Sequence, residues 1–338
     1  MILRKSYVFF IALVFFSCGY LLEGSLLPGA GTTNPGNWQF RQLVTVSNAG
    51  ANLNSYTIRF VIDSSNAGFW SGVENDGRSI YFTQSNGTSP LPFYLDYFDH
   101  SNQYAIIYLQ LNSIPNGDTD VYLYFGDSSA VSPSNAASVL LYFDDFEDGN
   151  VDDWSDVSSG GTVEADNDGS NGVLLKTANS DPNGGYVNFP SAVTEFECIW
   201  RTNRINSDGG AANRYAIEDG SENGYGPSIT NFDASVTLLI EERVGGSATT
   251  LDTDSTPPSL SSNTWYTLIL RRSGSVLNLQ LYDDSWSLID SVSSSDASVI
   301  SFTRFAVRGG FEFWTDDIRL RTYRSSDPSV TFGAIQSL

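Results

Sequence analysis

The chain has 338 residues, of which 41% are hydrophobic, 13% aromatic and only 17% charged, with 39 acidic against 17 basic side chains and a formal net charge of −22. A surface this acidic repels polyanions and argues against nucleic acid as a partner, while length and apolar content leave room for about two domains with cores of their own. Two cysteines, Cys18 and Cys198, are too few for a disulfide framework, and one histidine with one cysteine beyond the leader does not make a usual zinc site.

Residues 1–24 come first. Arg4 and Lys5 precede the apolar run Tyr7–Phe16, the pattern of a secretory signal. Three readings stay open. The segment is a cleaved signal peptide; or Phe15-Phe16-Ser17-Cys18, similar to a lipobox, leads to lipidation at Cys18; or the run extends to Leu22 and is kept as an anchor. All three put the chain outside the cell or on its surface, with membrane contact only through a retained anchor. Residues 25–36, with Pro28, Gly29, Gly31, Pro35 and Gly36, form a flexible linker.

From there apolar residues alternate with period two, the mark of half-buried antiparallel strands. Trp38, Phe40, Val44 and Val46 share one parity, as do Tyr56, Ile58, Phe60 and Ile62; Ala105, Ile107, Leu109 and Leu111; and Val121, Leu123 and Phe125. A helical turn fits Phe69–Val73, and Asn116-Gly117 is a hairpin-type turn signal. A second series starts near Leu141. Phe196, Cys198 and Trp200 face inward together, which makes the thiol buried and inert. Val236–Glu242 is another strand, Trp265–Arg271 and Val276–Tyr282 form a hairpin about Ser273-Gly274, and Phe313–Leu320 is the last strong strand. Ser158–Asn171 and Leu251–Asn263 read as long polar loops. The fold class is all-β: two β-sandwich domains, residues 37–140 and 141–338, the second a jelly roll ending in a tail. Trp38, Trp200, Trp265 and Trp314 lie in strands and are expected in the core.

Trp38-Gln39-Phe40-Arg41, Ser55-Tyr56-Thr57-Ile58, Asp76-Gly77-Arg78-Ser79-Ile80-Tyr81-Phe82, Leu91-Pro92-Phe93-Tyr94 and Val121-Tyr122-Leu123-Tyr124-Phe125-Gly126-Asp127 follow in an order that resembles the domain of unknown function 2341, over roughly Trp38–Phe143. That family is similar to surface proteins of archaea and bacteria and often sits beside a laminin-G or concanavalin-like sandwich. The remainder looks like such a partner. Phe143-Asp144-Asp145-Phe146-Glu147-Asp148-Gly149, Trp154, Thr264-Trp265-Tyr266 and Phe313-Trp314-Thr315-Asp316-Asp317-Ile318 resemble the opening and closing strands of concanavalin A-like and carbohydrate-binding jelly rolls, which lie side by side.

The resemblance implies a structural calcium ion held by Glu147 and by Asp316 or Asp317, with Asp145 near. Calcium takes six to eight oxygen ligands at ~2.3–2.6 Å. Parity puts Asp316 with Trp314 and Ile318. The alternative is a set of solvated strand-end acids. Trp286, in Asp283-Asp284-Ser285-Trp286, and Tyr225, in Asn223-Gly224-Tyr225-Gly226, are candidate rings for stacking a sugar; the alternative for each is packing at the sandwich edge. His100 has no evident nucleophile partner, and Glu195 and Glu197 are the nearest approach to the paired carboxylates of a retaining glycosidase. Asn86-Gly87-Thr88 is a glycosylation acceptor in form. The expectation is a non-enzymatic surface protein whose second domain binds polysaccharide or glycoprotein. The alternatives are a structural or adhesive envelope or filament component, and a divergent polysaccharide-active enzyme.

Overall fold

A computed structural model describes residues 36–156, 163–176, 184–205, 212–230, 236–254, 258–310 and 312–338. The 1–24 leader with Cys18, and the linker up to residue 35, lie outside the described residues.

The first unit runs β1 (Phe40–Asn48), β2 (Leu53–Ile62), α1 (Ala67–Gly72), β3 (Ile80–Gln84), β4 (Phe93–Asp99), β5 (Tyr104–Ile114) and β6 (Gly117–Phe125). A short 3-10 turn, Ala136–Ser138, leads on. The second unit runs β7 (Tyr142–Asp144), β8 (Trp154–Asp156), β9 (Val163–Asn167), β10 (Gly172–Lys176), β11 (Gly184–Val193), β12 (Phe196–Arg204), β13 (Asn213–Glu218), β14 (Gly224–Thr230), β15 (Thr237–Val244), β16 (Ser247–Thr253), β17 (Trp265–Ser273), β18 (Val276–Tyr282), β19 (Leu288–Ser295), β20 (Phe302–Gly309) and β21 (Phe313–Thr322). The final strand is β22 (Ser329–Ser337).

These strands make four sheets. Sheet I is β22-β1-β6-β3 and sheet II is β2-β5-β4. Sheet III is β19-β18-β17-β12-β21-β10-β9, with β7 also on β21; sheet IV is β16-β15-β14-β13-β20-β11-β8. Sheets I and II close on Val44, Ile58, Phe82, Leu109, Leu123 and Phe125. Sheets III and IV close on a larger core in which the Trp200 ring lies 5.0 Å from Tyr215 and 5.3 Å from Phe305, centroid to centroid. Each such ring, fully buried, contributes roughly 1.5–3 kcal/mol. The Cys198 thiol is buried in this core as expected, and burial pushes its pKa up.

The two sandwiches also pack on each other through the outer faces of sheets II and III. Strand β5 is apolar on both faces: Ile107 and Leu109 point to sheet I, Ile106 and Tyr108 to sheet III. They meet Ile199 and Ile269. Charges at this junction are paired, as burial requires. Arg321 Nε donates to Glu197 Oε1 at 2.7 Å and Arg271 Nε to Glu197 Oε2 at 2.6 Å, while Arg319 pairs with Asp96 across the junction. Burial opposes the Glu197 charge, but Arg321, Arg271 and Arg59 outweigh it and hold the carboxyl well below the usual range.

Three expectations need correction. The tail assigned to the second domain returns to the first: β22 pairs with β1 from Phe40↔Ser337 to Ser47↔Ser329 and adds Val330, Phe332 and Ile335 to the first core. The second unit is thus inserted in the first. Asn116-Gly117 does not close a hairpin, because β5 and β6 belong to different sheets; Gly117, at φ 102°, turns the chain from sheet II to sheet I. Part of each supposed loop is strand, β9 in one and the end of β16 in the other. Both lie at sheet edges with mostly exposed side chains, so neither alternates in hydropathy.

Candidate functional site

The first sandwich covers only part of the outer face of sheet III. Beside it the same strands β12, β17 and β21 continue uncovered. Register puts Asn203 opposite both Trp265 and Trp314, and Leu175 opposite Trp314, so all four leave the sheet on one face. One step along, Arg201 is opposite Thr267 and Asp316.

Trp265 and Trp314 are partly exposed. Their rings are near parallel, 18° apart with centroids 6.3 Å from each other. Both are held in place: Trp265 Nε1 donates to Asp168 Oδ2 at 3.1 Å and Trp314 Nε1 to Asp166 Oδ2 at 2.9 Å. Between their strands Asn203 is only 3% exposed, and its Oδ1 is a buried acceptor without a hydrogen-bond partner among the described residues. The Arg201 guanidinium lies 4.8 Å from the Trp265 ring centroid.

Three carboxyl groups converge on Arg201. Asp284 Oδ1 is 2.8 Å from Nη2, and Asp316 Oδ2 and Asp317 Oδ2 lie 3.7 and 3.6 Å from Nη1. A bulge makes this possible. The register against β12 shifts between Ile199 and Arg201, and Asp317 adopts φ 54°, a left-handed conformation uncommon outside glycine. Trp314 and Asp316 therefore face outward, whereas Ile318 and Leu320, beyond the bulge, point into the core. The expected parity holds for Asp316 with Trp314 and fails for Ile318. Burial, with the Asp317 charge beside it, pushes the Asp316 pKa up to about 8, and Arg201 pulls the other way.

The strand pairing implied for the jelly roll is present: β7 lies on β21, with Asp144 opposite Ile318. The calcium set does not form. Glu147 is exposed, Asp145 Oδ1 accepts from Glu147 N at 3.4 Å, and Asp316 and Asp317 take Arg201 as counter-charge. Among the described residues no group of three or more His, Cys, Asp or Glu is placed to hold a metal ion. The carboxyl buried at the β7 end is Asp144, which accepts bonds from Tyr142 Oη and Trp154 Nε1.

Tyr225 is not an open ring. It is fully buried, and its hydroxyl donates to Asp296 and accepts from Val299 N at 3.1 Å. Trp286 is half-buried at the junction, with its ring centroid 5.2 Å from the Arg59 guanidinium and 6.3 Å from the Tyr97 ring. The turn that places it also delivers Asp284 to Arg201. Glu197 is locked in the junction, and Glu195 accepts from Gly274 N at 3.1 Å at a turn. His100 Nε2 donates to the Trp70 carbonyl at 3.1 Å. Asn86 is exposed, its Oδ1 accepting from Thr88 N and Ser89 N at 3.0 Å each. On the outer face of sheet IV, buried Glu218 accepts from Arg304 and Arg308 at 2.7 Å, with Glu222 3.9 and 3.8 Å from the same two guanidinium groups.

The expectation that Trp265 and Trp314 lie in the core is wrong, since both are partly exposed on the outer face, and sequence reasoning did not single out Asn203 or Arg201. A signal was there. Trp265-Tyr266 and Phe313-Trp314 are adjacent aromatic pairs within strands, and neighbours on a strand point to opposite faces. One ring of each pair therefore had to leave the core.

The model of the domain of unknown function DUF2341 matches residues 76–157. The uncharacterized protein MJ1394 of Methanocaldococcus jannaschii is 32% identical over 187 residues, 53% of this chain. The match spans 18% of that relative's length. Among solved structures, the carbohydrate-binding module CBM66 from Bacillus subtilis is similar at TM-score 0.39 and 14% identity, over 50% of this chain and 96% of that one. The CBM2 module of the evolved Dit protein of Lactobacillus casei BL23 phage J-1 gives 0.41 and 12%, over 54% and 94%. The exoplasmic domain of VIP36, in its Ca2+/Man3GlcNAc-bound form, gives 0.36 and 11%, over 53% and 92%.

Proposed function

We propose that this chain is an extracellular binding protein that holds carbohydrate, as polysaccharide or glycoprotein glycan, on the uncovered half of sheet III, and that it is not an enzyme. The observation that carries the reading is the pair of near-parallel, partly exposed tryptophans, 6.3 Å apart, above a buried acceptor, Asn203 Oδ1, that has no partner among the described residues. A sugar ring offers a C–H face to stack on an indole and hydroxyl groups to donate to Asn203 and the nearby carboxylates. An unsatisfied buried acceptor costs roughly 1–3 kcal/mol, which a bound donor relieves. Fixed indole N–H bonds keep the rings pre-arranged, so little side-chain freedom is lost on binding. The first sandwich packs on the same sheet face beside this ledge, and the leader, read as an export signal, supports an extracellular location.

Titration of the full chain against a broad polysaccharide panel tests this. Saturable binding that falls about tenfold to a hundredfold in Trp265→Ala and in Trp314→Ala, and is unchanged in Tyr225→Phe, is the expected result. Binding that survives both tryptophan changes would place the site elsewhere. A folded chain that binds no glycan and self-associates would favour the structural or adhesive role.

A further inference from the structure

The ledge is charged very unevenly. Asp166 and Asp168 hold the indoles, Asp284, Asp316 and Asp317 surround one guanidinium, and Glu164 lies opposite Leu175 in the same cross-strand row. Asp316 is buried and its charge disfavoured, which leaves five carboxylates, Glu164, Asp166, Asp168, Asp284 and Asp317, against Arg201 and Arg319. Arg319 lies 3.4 Å from Asp317 but is also tied to Asp96 at the junction. The Asp284 side chain is 70% exposed, so its charge faces whatever approaches. Among the described residues the unpartnered buried group beneath the rings, Asn203 Oδ1, is an acceptor, and the exposed Asp284 carboxylate is an acceptor too.

We propose, resting on the carbohydrate-binding reading above, that the ledge selects donor-rich saccharides that are neutral or carry free amines, and turns away those bearing uronate or sulfate. An ammonium group near Asp284 adds a charge-assisted bond, whereas a carboxylate or sulfate meets like charge from several sides. Arg201 does not reverse this, because Asp284 at 2.8 Å and Asp317 at 3.6 Å already share it.

The test uses the full chain and three oligosaccharide sets of matched length: glucosamine oligomers with free amines, their N-acetylated forms, and oligouronates. Titrations are run at low and at physiological salt. The amine form is expected to bind tightest and the uronate at least about tenfold more weakly than the N-acetylated form, with both gaps narrowing as salt rises. Asp284→Asn, at an exposed position, narrows the amine advantage, and Trp265→Ala weakens binding of every set about tenfold to a hundredfold while the near-UV circular dichroism of the remaining rings persists. Uronate binding as tight as neutral binding, weakened in Trp265→Ala, would overturn the charge selection and leave the carbohydrate reading standing. Amine binding that Trp265→Ala does not weaken would overturn it too, as general attraction to an acidic protein. If no set binds, both fall.

Discussion

The outer face of sheet III does two different things along the same three strands. In its covered half, β12, β17 and β21 present Glu197, Ile199, Ile269, Arg271 and Arg321 to the first sandwich, and Glu197 takes charge-assisted bonds from two arginines. In its open half they present Arg201, Asn203, Trp265, Trp314 and Asp316, with an acceptor unpartnered and a carboxyl whose protonation burial favours. Residue types are similar in the two halves. Coverage distinguishes them: in the covered half Glu197 is locked between two arginines, although Tyr108 Oη and Arg59 Nε are buried there without hydrogen-bond partners among the described residues, and in the open half an unpartnered acceptor lies with partly exposed rings that a ligand can reach.

The largest expected effect breaks the joint. Glu197→Gln keeps the volume but leaves the buried Arg321 and Arg271 without their carboxylate, a loss of about 3–5 kcal/mol. Urea unfolding followed by fluorescence measures it. Glycan affinity, read where the variant is still folded, should hardly move, because Glu197 contacts nothing on the ledge that an evident ligand would touch. A variant losing binding with little change in midpoint would mean that the two halves are not separate in function.

The open half is probed next, at lower cost to the fold. Trp265 and Trp314 are only partly buried, so truncating either should lower stability by about 1–2 kcal/mol, less than a core tryptophan such as Trp200, for which about 3–5 kcal/mol is expected. The loss should fall on affinity instead. Measuring midpoint and glycan titration for Trp265→Ala beside Trp200→Ala sharpens the comparison. If Trp265→Ala proves as damaging as a core change, the ring belongs to the scaffold.

Much of this fold was legible in period-two alternation, because most strands have one face in a core. Phe196, Cys198 and Trp200 face inward as their parity required, as do Leu277, Leu279 and Leu281. Legibility failed where alternation loses its meaning. Sheet III is covered by protein on one face and half-covered on the other, so an apolar residue such as Ile199 or Trp314 does not reveal which side it serves. The bulge at Asp316–Asp317 shifts parity by one within a single strand, and no residue type announces it, since an aspartate and not a glycine takes the left-handed conformation. The return of β22 to sheet I depends on a partner strand about 280 residues earlier, at Phe40–Asn48, which local pattern does not encode. The Asn203 acceptor emerges only from register, once Trp265 and Trp314 are known to flank it.

The smallest effect turns on one proton. Asp316 lies with Asp317 and Arg319 on its own strand, Arg201 on β12 and Asp284 from the following hairpin turn, while β17 offers only Thr267; the first sandwich brings Asp96 toward Arg319. Its pKa of about 8 lies above the 3.8 of a free aspartate, because burial and Asp317 disfavour its charge. A raised carboxyl pKa means that the folded chain keeps a proton that the unfolded chain releases. Stability from this group therefore falls as pH rises from about 4 to about 8 and is level outside that window. Asp316→Asn cannot ionise and keeps an oxygen for the Asp317 N–H, so it should match the wild type below pH 4 and be the more stable protein above pH 8. Burial raises the Asp96 pKa as well, and that carboxyl adds a decline of the same sign. The quantity to measure is therefore the difference in melting temperature between the two proteins across pH, in which Asp96 cancels. A flat difference would mean that Arg201 holds Asp316 ionised, paired as firmly as Glu197 is, and the contrast between the halves of sheet III would then rest on the tryptophans and Asn203 alone.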